Sequence, residues 1–248
     1  MRVLFLIQSC NQDRFLAEEE IIRNTWGGRL RDNCDIMFYR GDGDDTLDGG
    51  VLKLNCEDDL NHTFLKTLRA LFVFQNSNEY DFIIRTNTST WINVELLLNT
   101  LCDLDPNDRK LYGGSIVSNS ESQGLPFLRG NFLVINKMLL KDIFESVKEK
   151  YYSGVDDVCL AMNLFKYYQD NNIDYLNTLR LIDNFTYRDD SADLKCALKY
   201  VGIRCGEYIK QKGNSDILYK IDEYYLNKNK CKIKKVDKIE TVFGDLDV

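Results

Sequence analysis

Two short clusters carry residue types that can do chemistry. The first, Arg85-Thr86-Asn87-Thr88-Ser89-Thr90, follows the apolar run Phe82-Ile83-Ile84. It presents one cation and a row of hydroxyls and amides but no carboxylate. That set suits an anion or a polyol rather than a bare metal ion, which prefers anionic oxygen. The second, Asp156-Asp157, precedes Val158, Ala161, Met162 and Phe165 at helical spacing. A helix start favours ionised carboxylates through its dipole and its free amides. One aspartate can cap the helix while the other accepts a proton from a hydroxyl. Both clusters also have a plain structural account. Arg85 could pair with a nearby carboxylate, Asn87 to Ser89 could form an ordinary turn, and the aspartates could simply cap.

The elements that must position these clusters alternate between strand and helix. Val3 to Ile7 forms a first buried strand, and the polar loop Gln8-Ser9-Cys10-Asn11-Gln12-Asp13 leads into a helix bearing Phe15, Ala17, Ile21 and Ile22. Strands are expected at Asp35 to Tyr39 and Val51 to Leu54, a helix from about Leu60 to Gln75, and then the strand ending at Arg85. Asn93 caps the next helix. This order predicts an α/β fold with a mainly parallel central sheet flanked by helices. Ligands of such sheets bind beyond the carboxyl ends of the strands, where the loops after Ile7 and Ile84 both fall. The second half is less regular. Strands are expected at Leu111 to Val117 and Phe127 to Ile135, and helices at Lys137 to Lys150, Asp156 to Asp170 and Ser215 to Asn227. The stretch from Asn227 to Lys235 is basic and reads as a loosely held tail.

Bulk properties narrow the classes. The chain has 248 residues and a net charge of -7, which argues against a general nucleic-acid or anionic-membrane binder. Its length suits one domain, and nothing marks an internal boundary. No apolar run approaches the roughly 20 residues of a membrane span. No targeting peptide precedes the first strand, so a cytoplasmic location is expected, and the eight cysteines, without a CxxC pair, read as reduced thiols. A zinc site is not expected. The acidic loop Asp42 to Asp48 lacks the calcium-loop pattern and reads as a solvated turn. His62, the single histidine, is expected at the surface beside Asn61.

Five blocks, in this order, resemble the beta-1,3-galactosyltransferase/Fringe group of glycosyltransferases. Ile22-Arg23-Asn24-Thr25-Trp26-Gly27 is similar to that group's I-R-x-T-W signature, and Phe64-Leu65-Lys66-Thr67 to its L-T-L-K-T helix. Phe82 to Asn93 is similar to the strand and loop that read K-T-D-D-D-x-x-x-N there, in the flanking cation, the threonine and the closing asparagine. Leu128 to Ile135 resembles the S-G-G-G-Y-V-L-S strand, and Val155-Asp156-Asp157-Val158 the E-D-V motif. The resemblance covers about Met1 to Phe165. It implies a GT-A fold with a nucleotide-binding half (about 1–105), an acceptor half (about 106–226) and a tail (227–248). It also implies transfer of a sugar from a nucleotide-sugar, by default a UDP-hexose, to a hydroxyl of a glycan, glycolipid or glycoprotein, with inversion. The group's metal-binding D-x-D corresponds here to Asn87-Thr88-Ser89.

That departure sets the expected site. Without carboxylates no metal ligands are assigned, and any Mn²⁺ or Mg²⁺ is expected to be held weakly, through the donor diphosphate. Fixed cations can perform the same electrostatic work. Arg85 is the first choice for the diphosphate, with Arg23, Lys66 and Arg129 beside it. Gln8, Ser9, Asn87 and Ser89 are expected on the donor's ribose or sugar, and Gly130-Asn131 where backbone approaches the transferred sugar. Asp157 is the expected base, with Asp156 next to it. The competing expectation is a catalytically inactive relative that binds sugar or nucleotide, or scaffolds glycan assembly. An unanchored sugar transferase suits a bacterium or a large virus that makes its own surface glycans.

Overall fold

The computed structural model describes residues 1–75, 79–148, 154–182, 184–186, 199–205, 209–210 and 215–228. The expected basic tail lies outside these residues from 229 onward. No helix among the described residues is long and apolar enough to cross a membrane.

The strands in chain order are β1 (Val3–Gln8), β2 (Cys34–Arg40), β3 (Thr46–Asp48), β4 (Val51–Lys53), β5 (Phe82–Asn87), β6 (Thr90–Ile92), β7 (Leu111–Gly113), β8 (Ile116–Val117), β9 (Phe127–Leu128), β10 (Phe132–Asn136), β11 (Leu179–Leu181), β12 (Asn184–Thr186) and β13 (Gly202–Arg204). The helices are α1 (Asp13–Asn24), α2 (Thr63–Phe72), α3 (Val94–Cys102), α4 (Lys137–Ser146) and α5 (Asp156–Asp170), with α6 over 217–228. The main sheet runs β11-β7-β10-β5-β1-β2-β4-β3. Its centre is parallel, with β5, β2 and β4 aligned with β1, and β10 is inserted antiparallel between β5 and β7. The expected α/β class with a mainly parallel central sheet is borne out.

Side-chain parity explains the layering. Along β1, Val3, Phe5 and Ile7 enter one apolar cluster with residues of α1, α3 and α6, while Leu4 and Leu6 enter the other with α2, α4 and α5. β5 divides likewise, Phe82 and Ile84 to the first face and Ile83 to the second. A strand covered on both faces is mainly apolar, hence the unbroken runs Val3 to Ile7 in β1 and Phe82 to Ile84 in β5. Each fully buried Leu or Phe contributes about 1.5–3 kcal/mol.

β1 is also where the sheet reverses. From β1 the chain passes by α1 to β2 and on to β4, then returns by α2 to β5 on β1's other side. The helices of these two crossovers cover opposite faces, so the loops after β1 and β5 diverge and leave a crevice between them.

Local expectations change at several points, and the strand expected from Leu111 to Val117 is divided into β7 and β8. The acidic turn at 42–48 contributes β3, an antiparallel edge strand on β4. The helix expected from Leu60 begins at Thr63. β5 runs three residues beyond Ile84, to Asn87. The expected strand from Phe127 to Ile135 is divided into β9 and β10 by a turn holding Gly130.

Candidate active site

A cavity of about 400 Å³ occupies the crevice beyond the carboxyl ends of β1 and β5. Gln8, Ser9, Cys10, Gln12 and Phe15 form the wall after β1, Asn87, Thr88 and Ser89 the wall after β5, and Asp58, Asp59, Leu60, Thr63 and Lys66 the third side. Two cavities of similar size lie elsewhere. One of about 380 Å³ lies beside α4, and one of about 330 Å³ lies between Trp26 and Trp91. Neither is lined by the carboxyl ends of β1 and β5.

The walls are tied together by polar contacts. Lys66 Nζ, from α2, donates to the Ser9 carbonyl at 2.9 Å and to Asp58 Oδ1 at 2.5 Å. Asp58 Oδ2 accepts from the Asn11 amide at 2.7 Å, and Asn11 Nδ2 donates to the Gly41 carbonyl at 3.1 Å. Burial alone would raise the Asp58 carboxyl, but Lys66 and the backbone amides of Asn11 and Gly41 outweigh it and hold it below the usual range. Lys66, expected on the donor diphosphate, is thus a buried tie between α2 and the loop after β1. Two lining groups remain without partners among the described residues, Ser9 Oγ and Gln8 Nε2. A buried hydroxyl or amide left unpaired costs about 1–3 kcal/mol, so the wall carries an uncompensated polar cost at these two atoms.

Arg85 is corrected. Because β5 continues to Asn87, Arg85 falls inside the strand, and parity turns it beneath α2 and α5. It is 2% exposed and ion-paired with Asp156. Its guanidinium also donates to Gln8 Oε1 and, at 3.2 Å, to the Tyr39 hydroxyl. Burial by itself would lower the Arg85 pKa, but Asp156 and Tyr39 reverse this and leave it raised. Arg85 is therefore a fixed internal cation bordering the cavity through Gln8, not an open clamp for phosphate.

Asp156 is corrected with it. Neither aspartate is the N-cap, which is Val155, and both lie in the first turn of α5. Burial pushes the Asp156 carboxyl up, against the pull of Arg85, so desolvation overrides the expected effect of the helix start. An elevated Asp156 favours a proton, whereas an elevated Arg85 requires an anion beside it. The ion pair prevails at neutral pH because a guanidinium does not give up its proton there. Thr67 Oγ1 donates to Asp156 Oδ2 at 3.2 Å and lies 2.9 Å from the Tyr39 hydroxyl. Asp156 is enclosed and committed.

Asp157 is partly exposed. Its Oδ2 accepts from the Gly130 amide at 2.8 Å and its Oδ1 from the Val158 amide at 2.9 Å. These bonds fix the carboxylate and leave further lone pairs on both oxygens. Gly130 has to be glycine, since a Cβ would come within 2.8 Å of an Arg85 nitrogen and 3.1 Å of Asp157 Cβ. Asn131 is buried, and its carbonyl accepts from Thr86 Oγ1 at 2.7 Å, so it braces β10 on β5. Arg129 is half-buried, with no ion pair among the described residues.

In the segment corresponding to the D-x-D, Asn87 Oδ1 accepts from Ser89 Oγ at 3.0 Å and Thr90 Oγ1 at 2.8 Å. Thr88 Oγ1 donates to Glu18, a carboxylate 0% exposed that also takes Arg14 Nε at 2.9 Å. The oxygens here are neutral and engaged with one another, and Glu18 behind them is already satisfied. This turn does not fit a divalent cation.

Arg23 is corrected too. It stands in the last turn of α1, a 12-residue helix that leads away from the cavity for about 18 Å. Its guanidinium lies over the Phe38 ring at 4.5 Å and donates to the Gly49 carbonyl at 3.3 Å. The sequence reading missed Glu18, Asp58 and Tyr39. A signal existed for the first, because three consecutive acids at 18–20, next to Ile21 and Ile22, cannot all face water on a helix packed against a sheet.

No family model matches the chain, and no curated protein matches it. Among solved structures, the galactosyltransferase LgtC in complex with donor and acceptor sugar analogs aligns with a TM-score of 0.45 and 13% identity, over 90% of this chain and 96% of that one. An active-site mutant of LgtC aligns with a TM-score of 0.40 and 14% identity, over 82% and 86%. Likeness at this level carries no argument about activity, which rests on the residues of this chain.

Proposed function

We propose that this chain is an inverting glycosyltransferase that moves a hexose from a nucleotide-sugar, UDP-hexose by default, to a hydroxyl of a glycan, glycolipid or glycoprotein. The observation that carries the proposal is the crevice between β1 and β5. It has the unpartnered Ser9 Oγ and Gln8 Nε2 in its wall, and the positioned carboxylate Asp157 follows Asp156, whose partner Arg85 donates to Gln8 of that wall. The resemblance to the beta-1,3-galactosyltransferase/Fringe group supports the same reading. The polar wall at Ser9, Asn87 and Ser89 suits ribose and sugar hydroxyls. Asp157 accepts the acceptor's proton as its oxygen attacks the anomeric carbon, and the nucleotide diphosphate leaves from the opposite side. Arg85, neutralised by Asp156, holds Gln8 in the wall and does not touch the diphosphate, and Arg129, beside Gly130, is the remaining cation of the expected set. The whole chain acts as one catalytic unit in this reading, in the cytoplasm of a bacterium or of a virus-infected cell.

The neutral turn at Asn87 to Ser89 favours a second reading, an inactive relative that retains nucleotide or sugar binding. UDP-sugar turnover with and without EDTA, together with UDP binding, separates the two. The enzyme reading expects transfer or slow hydrolysis that Asp157→Ala abolishes. Binding of UDP without turnover upholds the second reading, and failure to bind any nucleotide sinks the enzyme and favours an inactive sugar binder or scaffold.

A further inference from the structure

The guanidinium of Arg85 makes more contacts than one carboxylate would require. Its Nη2 donates to Gln8 Oε1 at the end of β1 and pairs with Asp156 Oδ2 in the first turn of α5, and its Nε donates to the Tyr39 hydroxyl at 3.2 Å. Its Nη1 faces the turn between β9 and β10, where a Cβ on Gly130 would come within 2.8 Å of it. The side chain is buried, so these neighbours rather than water set the plane of the fork. Two of them lead to the functional parts of the molecule. Gln8 lines the crevice. Gly130 gives its amide to Asp157 Oδ2 at 2.8 Å, and Asp157 follows Asp156 in the same first turn. The missing Cβ of Gly130 would also lie 3.1 Å from Asp157 Cβ and 3.3 Å from Asp156 Oδ1, so turn, fork and helix start are in contact. Crevice wall and proton acceptor therefore rest on one planar group.

We propose that Arg85 is a positioning residue, whose fork holds the crevice wall at Gln8 and the carboxylate of Asp157 in one frame, so that a donor in the crevice and the base meet in register. The proposal rests on the nucleotide-sugar reading above for the role of Asp157 as base. Stability alone asks only for a positive charge beside Asp156, and an ammonium supplies that. Register asks for the fork. A guanidinium fixes the directions to several partners at once, whereas an ammonium is a point charge on a flexible stem. Placement matters because a base acts only within hydrogen-bond reach of its proton, and a displacement of about 1 Å can cost about 10²-fold in rate.

Steady-state UDP release from a panel of UDP-hexoses, with kcat and donor KM resolved, tests this. Arg85→Lys keeps the charge and loses the fork. Gln8→Met cuts the wall contact and leaves the ion pair whole, so it is the variant less able to disturb folding. Each is expected to lower kcat at least about tenfold. The double variant is expected to fall no further than the single ones, because the two residues act as a unit. Gln8→Met that raises donor KM and keeps kcat would make Gln8 a donor contact alone and overturn the proposal. Arg85→Lys with wild-type kcat would overturn it too, since charge would then suffice, as would losses that multiply in the double variant. Where Arg85→Lys does not fold, the kcat of Gln8→Met decides. A wild-type chain that turns over no UDP-hexose fails the nucleotide-sugar reading itself, before any variant is compared, and removes this role of Arg85 with it.

Discussion

At the scale of single residues, the two aspartates that open α5 have been separated into different roles by one position of rotation. Asp156 turns inward to Arg85, and Asp157 stays partly exposed on two backbone amides. A proton acceptor must be reachable, so only Asp157 qualifies. Asp157→Asn is expected to lower turnover by about 10²–10⁴-fold with little change in donor KM, read by UDP release under saturating donor. An unaltered turnover would remove Asp157 from the mechanism. Arg85→Met is expected to behave differently, because it strands a buried carboxylate. Destabilisation of about 3–5 kcal/mol in urea unfolding is the expected cost, with much of it recovered in the double variant Arg85→Met, Asp156→Leu. An Arg85→Met protein of wild-type stability would contradict the ion pair. Ser9, Asn87 and Ser89 were legible as lining residues because strand-end loops face the crevice. Arg85 was not, because its role depends on where β5 stops. Had the strand been carried through Thr86 to Asn87, parity would have set Arg85 on the same side as Ile83, inside.

At the scale of elements, α2 is held to the loop after β1 by Lys66, and that tie shapes one wall of the cavity. Lys66→Met leaves Asp58 buried and unpaired, at an expected cost of about 3–5 kcal/mol near neutrality. The pH dependence follows from the depressed Asp58 carboxyl. A lowered folded pKa contributes stability above the unfolded value of 3.8 and loses it as pH falls through the folded value. The gap between wild type and Lys66→Met should therefore be full at pH 6–7 and narrow below about pH 4, measured by urea unfolding across that range. A gap that is constant with pH would mean that lost packing, not the ion pair, sets the cost. Most elements were readable from periodicity, α5 to the residue, since its apolar positions recur at helical spacing from Val158. The failures share a cause. β3 lies in a run of acids and glycines with no apolar alternation, and pairs only because the turn at Gly49-Gly50 folds it back onto β4. β9 and β10 read as one strand because Gly130, which separates them, is set by its contact with Arg85 and Asp157, far away in sequence.

At the scale of the whole molecule, strand order decides where a ligand can bind, and strand order was not legible. Periodicity places elements along the chain but says nothing of which strand neighbours which. The reversal at β1 depends on α1 and α2 packing on opposite faces, which only the two apolar clusters reveal. Once β5 lies beside β1, the loops carrying Ser9 and Asn87 must share one crevice, and two positions far apart in sequence become its facing walls. A ligand bridging them would bind the folded chain and have no counterpart in the unfolded one, so it must raise apparent stability. UDP at about 100 times its Kd should add about 2.7 kcal/mol. For a chain of this length that is roughly 5–10 °C in the unfolding midpoint. The rise should shrink in Ser9→Ala, which removes the orphan hydroxyl without adding bulk to the wall, and persist in Arg23→Ala, at the far end of α1. Equal rises in wild type and Ser9→Ala would place the nucleotide outside the crevice, and a rise lost in Arg23→Ala would move it to the other end of the sheet.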